Sequence, residues 1–344
     1  MLSSRPCLLG LLLAACSARE PATPLSADPP PTQPAPAAPP VEPPPPATPT
    51  PPPPPPKVAT LEELLAATPA TPAELARVKA ALRKDNRKDY TKGPDEYRAG
   101  LLADLGDRRL ALAAHFLPDY DLGDSASGLM NHLDPERAAP YLFASMPRSD
   151  RNVQYRAFSR WNLRIRGGER PCCLIEMHAA AIRCLEADTN ADAAEHALYA
   201  IGLTGNSADV PILTRYATSA HPTDYWRLRL QNAAVAALAR LGSEPHKQRI
   251  TDALTAPVPA KIDSQQAIQI SAILDQAAFS GDRRYLPLLC RHLEDPFPGD
   301  VTDAIPPMPA YHAAQAIEEI VHNTPPSPLR EDLDKARTWC RANP

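Results

Sequence analysis

The residues best equipped for covalent or metal chemistry are the seven cysteines. Five of them lie beyond residue 57: Cys172, Cys173, Cys184, Cys290 and Cys340. Cys172, Cys173, His178 and Cys184 have the residue types of a zinc ligand set, but their spacing predicts something else. Cys173, Met177, Ala180 and Cys184 recur at i, i+4, i+7 and i+11, which is one apolar face of a helix. On such a helix Cys173 and Cys184 stand about 16 Å apart along the axis. They cannot share a metal or a disulfide, and His178 points elsewhere. These cysteines are therefore expected to be core thiols, with no metal and no cofactor. Cys290 and Cys340 fall on second helices of adjacent units of the repeat described below, and are the best-placed pair for a disulfide.

Basic side chains offer a second kind of chemistry. Arg156, Arg160 and Arg164 recur every four residues beside Tyr155 and Trp161, a stripe able to grip an acidic partner or phosphate groups or simply to face solvent. A stretch from Arg77 to Lys92 is also basic and reads as an exposed helix end and loop. Gly123-Asp124-Ser125 resembles the nucleophile block of GDS-type lipases and esterases. That resemblance implies a preceding β-strand and a late Asp-x-x-His. No strand-like run precedes Gly123, and no histidine has an aspartate three positions earlier. The segment is read as a loop with helix N-caps, a role that suits Asp124 and Ser125. Paired catalytic carboxylates, HExxH and GxSxG are all missing, so an enzyme is not expected.

The first sixteen residues, MLSSRPCLLGLLLAAC, carry an address. Arg5 supplies a short positive region. The apolar stretch 7–15 is far shorter than the ~20 residues that span a bilayer and has the length of a signal peptide. Its end, Leu13-Ala14-Ala15-Cys16, resembles the lipobox of bacterial lipoproteins. The resemblance implies removal of residues 1–15 and lipidation of Cys16. Several acyl chains anchor a protein stably where one is marginal. Ser17 after the cysteine implies, in lipoproteins of this type, the outer membrane facing the periplasm. Residues 16–57 then form a disordered tether. Residues 21–56 contain 20 prolines, ending in the run Pro51 to Pro56. Proline-rich chain extends by about 3.1 Å per residue, so the tether could reach roughly 120 Å. A proline-rich ligand for a groove-type domain is the other use of such a segment.

About 288 residues remain for a folded body, enough for one large domain or two ordinary ones. The whole chain has a formal charge of −4, and its acids and bases are nearly balanced. A dedicated nucleic-acid binder shows a clear basic excess, so no nucleic-acid partner is expected. Thirteen glycines and 5% aromatics argue against glycine-rich all-β folds.

What must position the chemistry is a helical repeat. Gly168, Gly205, Gly242 and Gly281 are 37, 37 and 39 residues apart. Each ends an alanine-rich apolar run (153–165, 193–203, 228–241 and 267–279) and precedes a second amphipathic run. Glycine can end a helix in the left-handed conformation, so the unit is helix, glycine turn, helix. Asp192 and Glu195 have the spacing of a capping box. Pro140, Pro211 and Pro287 recur near the second runs and, tolerated in a first turn, mark their starts. The segment 226–242, with its arginines, small residues and terminal Leu241-Gly242, resembles HEAT repeats. Residues 193–213 are similar. The resemblance implies an all-α, HEAT-like α-solenoid over 150–344, with 58–149 as an irregular helical N-terminal part. It also implies second helices lining a concave surface that binds protein.

Ten residues after each glycine stand His178, Arg215, Asp252 and Arg291. Equivalent positions of successive repeats form a ladder, which is the candidate strip for recognising a partner. Arg156, Arg160 and Arg164, on a first helix, are the competing surface. The expected function is a lipid-anchored, non-enzymatic periplasmic scaffold binding an envelope protein partner. An immunity-type lipoprotein that neutralises an incoming toxin is one concrete form. The alternative is an envelope enzyme or small-ligand-binding protein with its site in the solenoid groove.

Overall fold

The computed structural model describes residues 58–84, 93–149, 151–187, 191–218, 225–296, 309–321, 329 and 332–343. The chain divides into two units, Met1–Pro54 and Pro55–Pro344, and every described residue belongs to the second. The signal peptide, Cys16 and the proline-rich tether lie outside the described residues, as do residues 85–92 of the basic stretch. The described residues contain sixteen α-helices and no strand. The protein is all-α.

Local sequence explains where these helices begin. Thr60 and Glu63 form a capping box at α1 (Leu61–Ala66), and Thr71 and Glu74 form one at α2 (Pro72–Leu82). Each pair satisfies backbone donors that have no partner inside a helix. Proline occupies the first turn of α3 (Pro94–Leu101) and of α6 (Pro135–Ala144), where Asp134 also accepts from the N–H groups of Glu136 and Arg137. Between α3 and α6 come α4 (Arg108–Ala114) and α5 (Gly123–Leu133). Next are α7 (Arg151–Arg166), α8 (Leu174–Glu186), α9 (Ala191–Thr204) and α10 (Val210–Ala217). The chain continues through α11 (Tyr225–Arg240), α12 (Glu244–Thr255), α13 (Ser264–Ser280), α14 (Leu286–His292), α15 (Pro309–Val321) and α16 (Leu333–Ala342).

Packing follows parity. The helices α3, α5, α7, α9, α11, α13 and α15 touch in that order and form a first layer. In the second layer α2 packs on α4, α4 on α6, α6 on α8, α12 on α14, and α14 on α16, while α10 lies against α11. The core between the layers is rich in alanine. Ala233, Ala234, Ala236, Ala237 and Ala239 are all fully buried in α11, and Ala193, Ala197 and Ala200 are fully buried in α9. Small side chains let helix axes approach closely, so buried area comes from the number of contacts more than from side-chain size. The α2–α6 segment follows the same parity with shorter helices.

Side chains stitch the second layer together at a recurring position. Arg183 of α8 donates to Phe143 O at the end of α6 (3.0 Å), and Tyr216 of α10 donates to Leu185 O at the end of α8 (3.3 Å). His292 of α14 lies 3.0 Å from Leu254 O near the end of α12, and Arg337 of α16 donates to Leu293 O just past α14 (3.0 Å). Each bond adds a side-chain donor to a carbonyl at the C-terminal end of the preceding second-layer helix, where the regular i+4 donors run out.

Several local expectations are corrected. Gly168, Gly242 and Gly281 do adopt positive φ, but Gly205 does not. A Cβ at Gly205 would meet Asp209 Oδ2 and Ile201 O at 2.5 Å each, so glycine is required there by crowding. Pro211 and Pro287 stand in first turns, but Pro140 lies inside α6, which Pro135 starts. Asp192 lies within α9 and cannot be its N-cap; it and Glu195 instead pair with Arg229. Gly123, Asp124 and Ser125 are the first turn of α5, with no side-chain cap. Helix α8 starts one residue after Cys173.

Candidate recognition surface

Five first-layer helices present one continuous run of polar and aromatic side chains. On α7, Tyr155, Asn162 and Arg166 share a face, being spaced i, i+7 and i+11. On α9 the same face carries Asp192, Glu195, His196 and Tyr199. Tyr155 stands edge-on to His196 (centroids 4.8 Å apart), and Asn162 Nδ2 donates to His196 O (3.0 Å). From α11, Arg229 pairs with both Asp192 (3.1 Å) and Glu195. On α13, Ile268, Asp275 and Phe279 share a stripe. Asp275 Oδ1 lies 3.1 Å from His312 Nδ1 of α15.

The far ends of these helices converge. Arg166 of α7 pairs with Glu319 of α15 (2.5 Å), although α9, α11 and α13 separate those two helices in the packing order. Phe279 lies beneath, with the guanidinium groups of Arg166 and Arg240 at 5.7 and 5.4 Å from its ring centre. Tyr199 packs against the same ring at 4.6 Å. At this end of the surface the first-layer helices draw together around Phe279. Three large apolar side chains remain exposed near its other end: Tyr155 (41%), Ile268 (46%) and Tyr311 (39%).

Electrostatics follow burial. Burial pushes the Glu195 carboxyl up, against the pull of Arg229. Burial also raises the Tyr199 hydroxyl, helped by the charges of Glu195 and Asp275. The hydrogen bond to Asp275 raises His312 above the ordinary histidine value. Burial and Arg229 hold His196 down at about 4. His196 is thus uncharged at neutral pH.

The ladder residues occupy second-layer helices in different settings. Arg215, Asp252 and Arg291 are exposed on α10, α12 and α14. Arg215 lies over the Tyr216 ring at 5.4 Å, and Asp252 accepts from Gln248 (2.7 Å). His178 is half-buried, with Nε2 3.1 Å from Asp209 Oδ2. In the competing stripe, Arg156 pairs with Asp124 (3.0 Å), and Arg164 pairs with Glu136 and Glu169 while lying over Trp161. Arg160 is exposed. Arg77, in the other basic stretch, pairs with Asp104.

Cys290 and Cys340 are brought together with Sγ–Sγ 1.98 Å and Cα–Cα 5.8 Å. Cys184 is fully buried and its thiol is pushed up to about 12, chiefly by burial. Among the described residues no group of three or more His, Cys, Asp or Glu side chains is arranged to hold a metal ion. Among them, too, no helix is long and apolar enough to cross a membrane.

The pairs lining the first-layer surface are missing from the sequence reading, yet they carried a signal. Asp192 and Arg229 are 37 residues apart, and so are Asp275 and His312. One repeat period separates complementary partners in each case. Set against models of protein families, curated proteins and solved structures, the chain matches none of them.

Proposed function

We propose that this chain is a lipid-anchored, non-enzymatic protein of the cell envelope whose helical body is a HEAT-like α-solenoid that binds a protein partner. An immunity-type lipoprotein is its most concrete form. The anchor is Cys16, and Ser17 favours the outer membrane facing the periplasm. The observation that carries the scaffold reading is the serial contact of α7, α9, α11, α13 and α15. Such stacking turns separate helices into one extended surface. Exposed Tyr155, Ile268 and Tyr311 beside ion pairs give that surface the mixed aromatic and polar composition of protein interfaces. The second-layer ladder of His178, Arg215, Asp252 and Arg291 is its rival.

Two measurements test this reading. Cys16→Ala should abolish partitioning into the detergent phase, and unchanged partitioning would remove the anchor. Crosslinking in the protein's own cells should capture a partner. Replacing Tyr155 and Tyr311 by alanine should weaken that capture with the helical circular-dichroism spectrum intact. Loss confined to the Arg215→Glu, Arg291→Glu double variant would move recognition to the second layer. The alternative, an envelope enzyme or small-ligand binder with its site in the groove, draws on the Asp275–His312 pair beside Tyr199. A metabolite released on denaturing the purified protein and identified by mass spectrometry would decide for it.

A further inference from the structure

A cavity of about 200 Å³ lies where α12, the connection 256–263, α13 and α14 meet. Its apolar walls are Leu254, Pro257, Val258, Pro259, Ile270 and Ile273. On α13 the lining residues Gln266, Gln269, Ile270 and Ile273 are spaced i, i+3, i+4 and i+7, which is one helix face. Ile268, Asp275 and Phe279 occupy the opposite face, so the cavity is separate from the first-layer surface. From α14 comes His292, only 6% exposed. Its Nε2 lies 3.0 Å from Leu254 O, and its Nδ1 lies 2.6 Å from Asp295 Oδ2. That tie fixes α14 against α12 beside the cavity. With both nitrogens engaged, the ring has no hydrogen bond left to offer a guest. Gln266 is engaged too, since its Oε1 accepts from Asp263 N (3.0 Å) in the capping box of α13. Gln269 is exposed, and its carboxamide can donate and accept. Pro257 and Pro259 bring no N–H. The lining contains no Asp, Glu, Lys or Arg, and its one histidine is paired with Asp295.

We propose that this cavity is a binding site for a small uncharged molecule: a single ring, apolar over most of its surface, with at most one hydrogen-bonding group. Size argues for one ring. An apolar cavity of about 150 Å³ takes up benzene, and this one has room for a ring with a small substituent. The lining argues against a charge, because an ion moved out of water needs a partner of opposite charge or several hydrogen bonds. Gln269 is the side chain that meets the one polar group of the guest. The guest fills space between α12 of one helix pair and α13 and α14 of the next. Its burial therefore adds contacts to both pairs at once, and stability should rise with its concentration.

Methyl NMR spectra of the full chain, titrated with toluene and with p-cresol, test this. Both probes should give saturable shifts at Leu254, Val258, Ile270 and Ile273, and benzoate at the same concentrations should give none. Ala253 also lines the cavity. Ala253→Met extends an adaptable side chain into the space and should weaken both probes by about tenfold, with the helical spectrum intact. Gln269→Leu should weaken p-cresol roughly threefold relative to toluene, as expected for the loss of one exposed hydrogen bond. Neither Tyr155 nor Tyr311 lines the cavity, so replacing them should leave probe binding unchanged whatever happens to partner capture. No saturable shift with either probe, or shifts spread over methyls throughout the body, would overturn the proposal. Undiminished binding by a folded Ala253→Met chain would place the guest elsewhere and overturn it as well. Saturation by benzoate would overturn the assigned ligand class. Should Ala253→Met fail to give a helical spectrum, the four wild-type methyl positions decide alone.

Discussion

His196 is neutral in the folded protein because of where α9 places it. Tyr155 and Tyr199 flank its ring, with centroids at 4.8 and 6.3 Å, and its buried Nδ1 has no hydrogen-bond partner. Burial, then the charge of Arg229, holds its pKa at about 4 against an ordinary 6.5. A folded-state pKa below the unfolded value leaves stability intact above about 6.5 and removes it as the pH falls toward 4. The full loss is about 3 kcal/mol. His292 and His312 act in the opposite sense. Asp295 and Leu254 O hold His292 above its ordinary value despite burial, and Asp275 does the same for His312. Their contribution is complete below 6.5 and disappears as pH rises through their folded-state values. Thermal melts should therefore show a histidine-dependent stability maximum near the ordinary histidine pKa. His196→Phe, which keeps a ring between the tyrosines, should flatten the acid side alone. An unchanged acid side would mean that His196 is protonated in the fold. At this scale the sequence reading named surface residues and passed over the inward-facing ones beside them. It singled out the exposed Arg215 and Arg291, whereas their chain neighbours Tyr216 and His292 bond the preceding helices. A 37-residue period identifies equivalent positions but does not say which neighbour points inward.

Helix contacts depend on residues that periodicity alone does not rank. Gly202 lies inside α9, where a Cβ would fall 2.8 Å from Ala237 Cβ and 2.9 Å from Phe279 Cε1. It lets α9 approach α11 and the Phe279 ring that the converging arginines cover. Gly202→Val should lower stability by about 1–3 kcal/mol, the usual range for forcing extra carbons into a packed core, read as a drop in denaturant midpoint at constant slope. A neutral result would mean that α9 and α11 separate without cost. The glycines ending α11 and α13 were legible because a left-handed turn at a helix end favours glycine. Gly202 was not, because close approach depends on which residues lie opposite in space. The same distinction explains 58–149. Its short helices carry no regular glycine marker, yet they continue the parity of the two layers. The alanine-rich runs of α9, α11 and α13 were legible from composition and from the glycines that follow them, even where, as in α11, residues 233–239 are buried all round. The convergence of helix ends at Phe279 was not, because the Arg166–Glu319 pair joins residues 153 apart.

In a stack of helices, each contacting mainly its neighbours, stability is a sum of local terms and need not be lost all at once. Helix α16 tests this at the end of the array. It packs on α14 and α15, and among its residues only Ala336 is fully buried. Two ties hold it: the Cys290–Cys340 disulfide, and Arg337, which donates to Leu293 O and pairs with Glu294. A cross-link between residues 50 apart removes roughly 4 kcal/mol of chain freedom from the unfolded state in the loop-entropy model. If the array is quasi-one-dimensional, Cys340→Ser should concentrate its effect on the terminal helix. Hydrogen exchange should then show α16 amides losing most of their protection, while amides in the middle of α9 and α11 change by less than about twofold, since local openings draw only on local contacts. The rest of α15 should keep its protection, because α13 on one side and the Arg166–Glu319 pair on the other still hold it. A uniform loss from α9 through α16 would instead show that the body unfolds as one cooperative unit, and would remove the nearest-neighbour picture on which the solenoid reading depends.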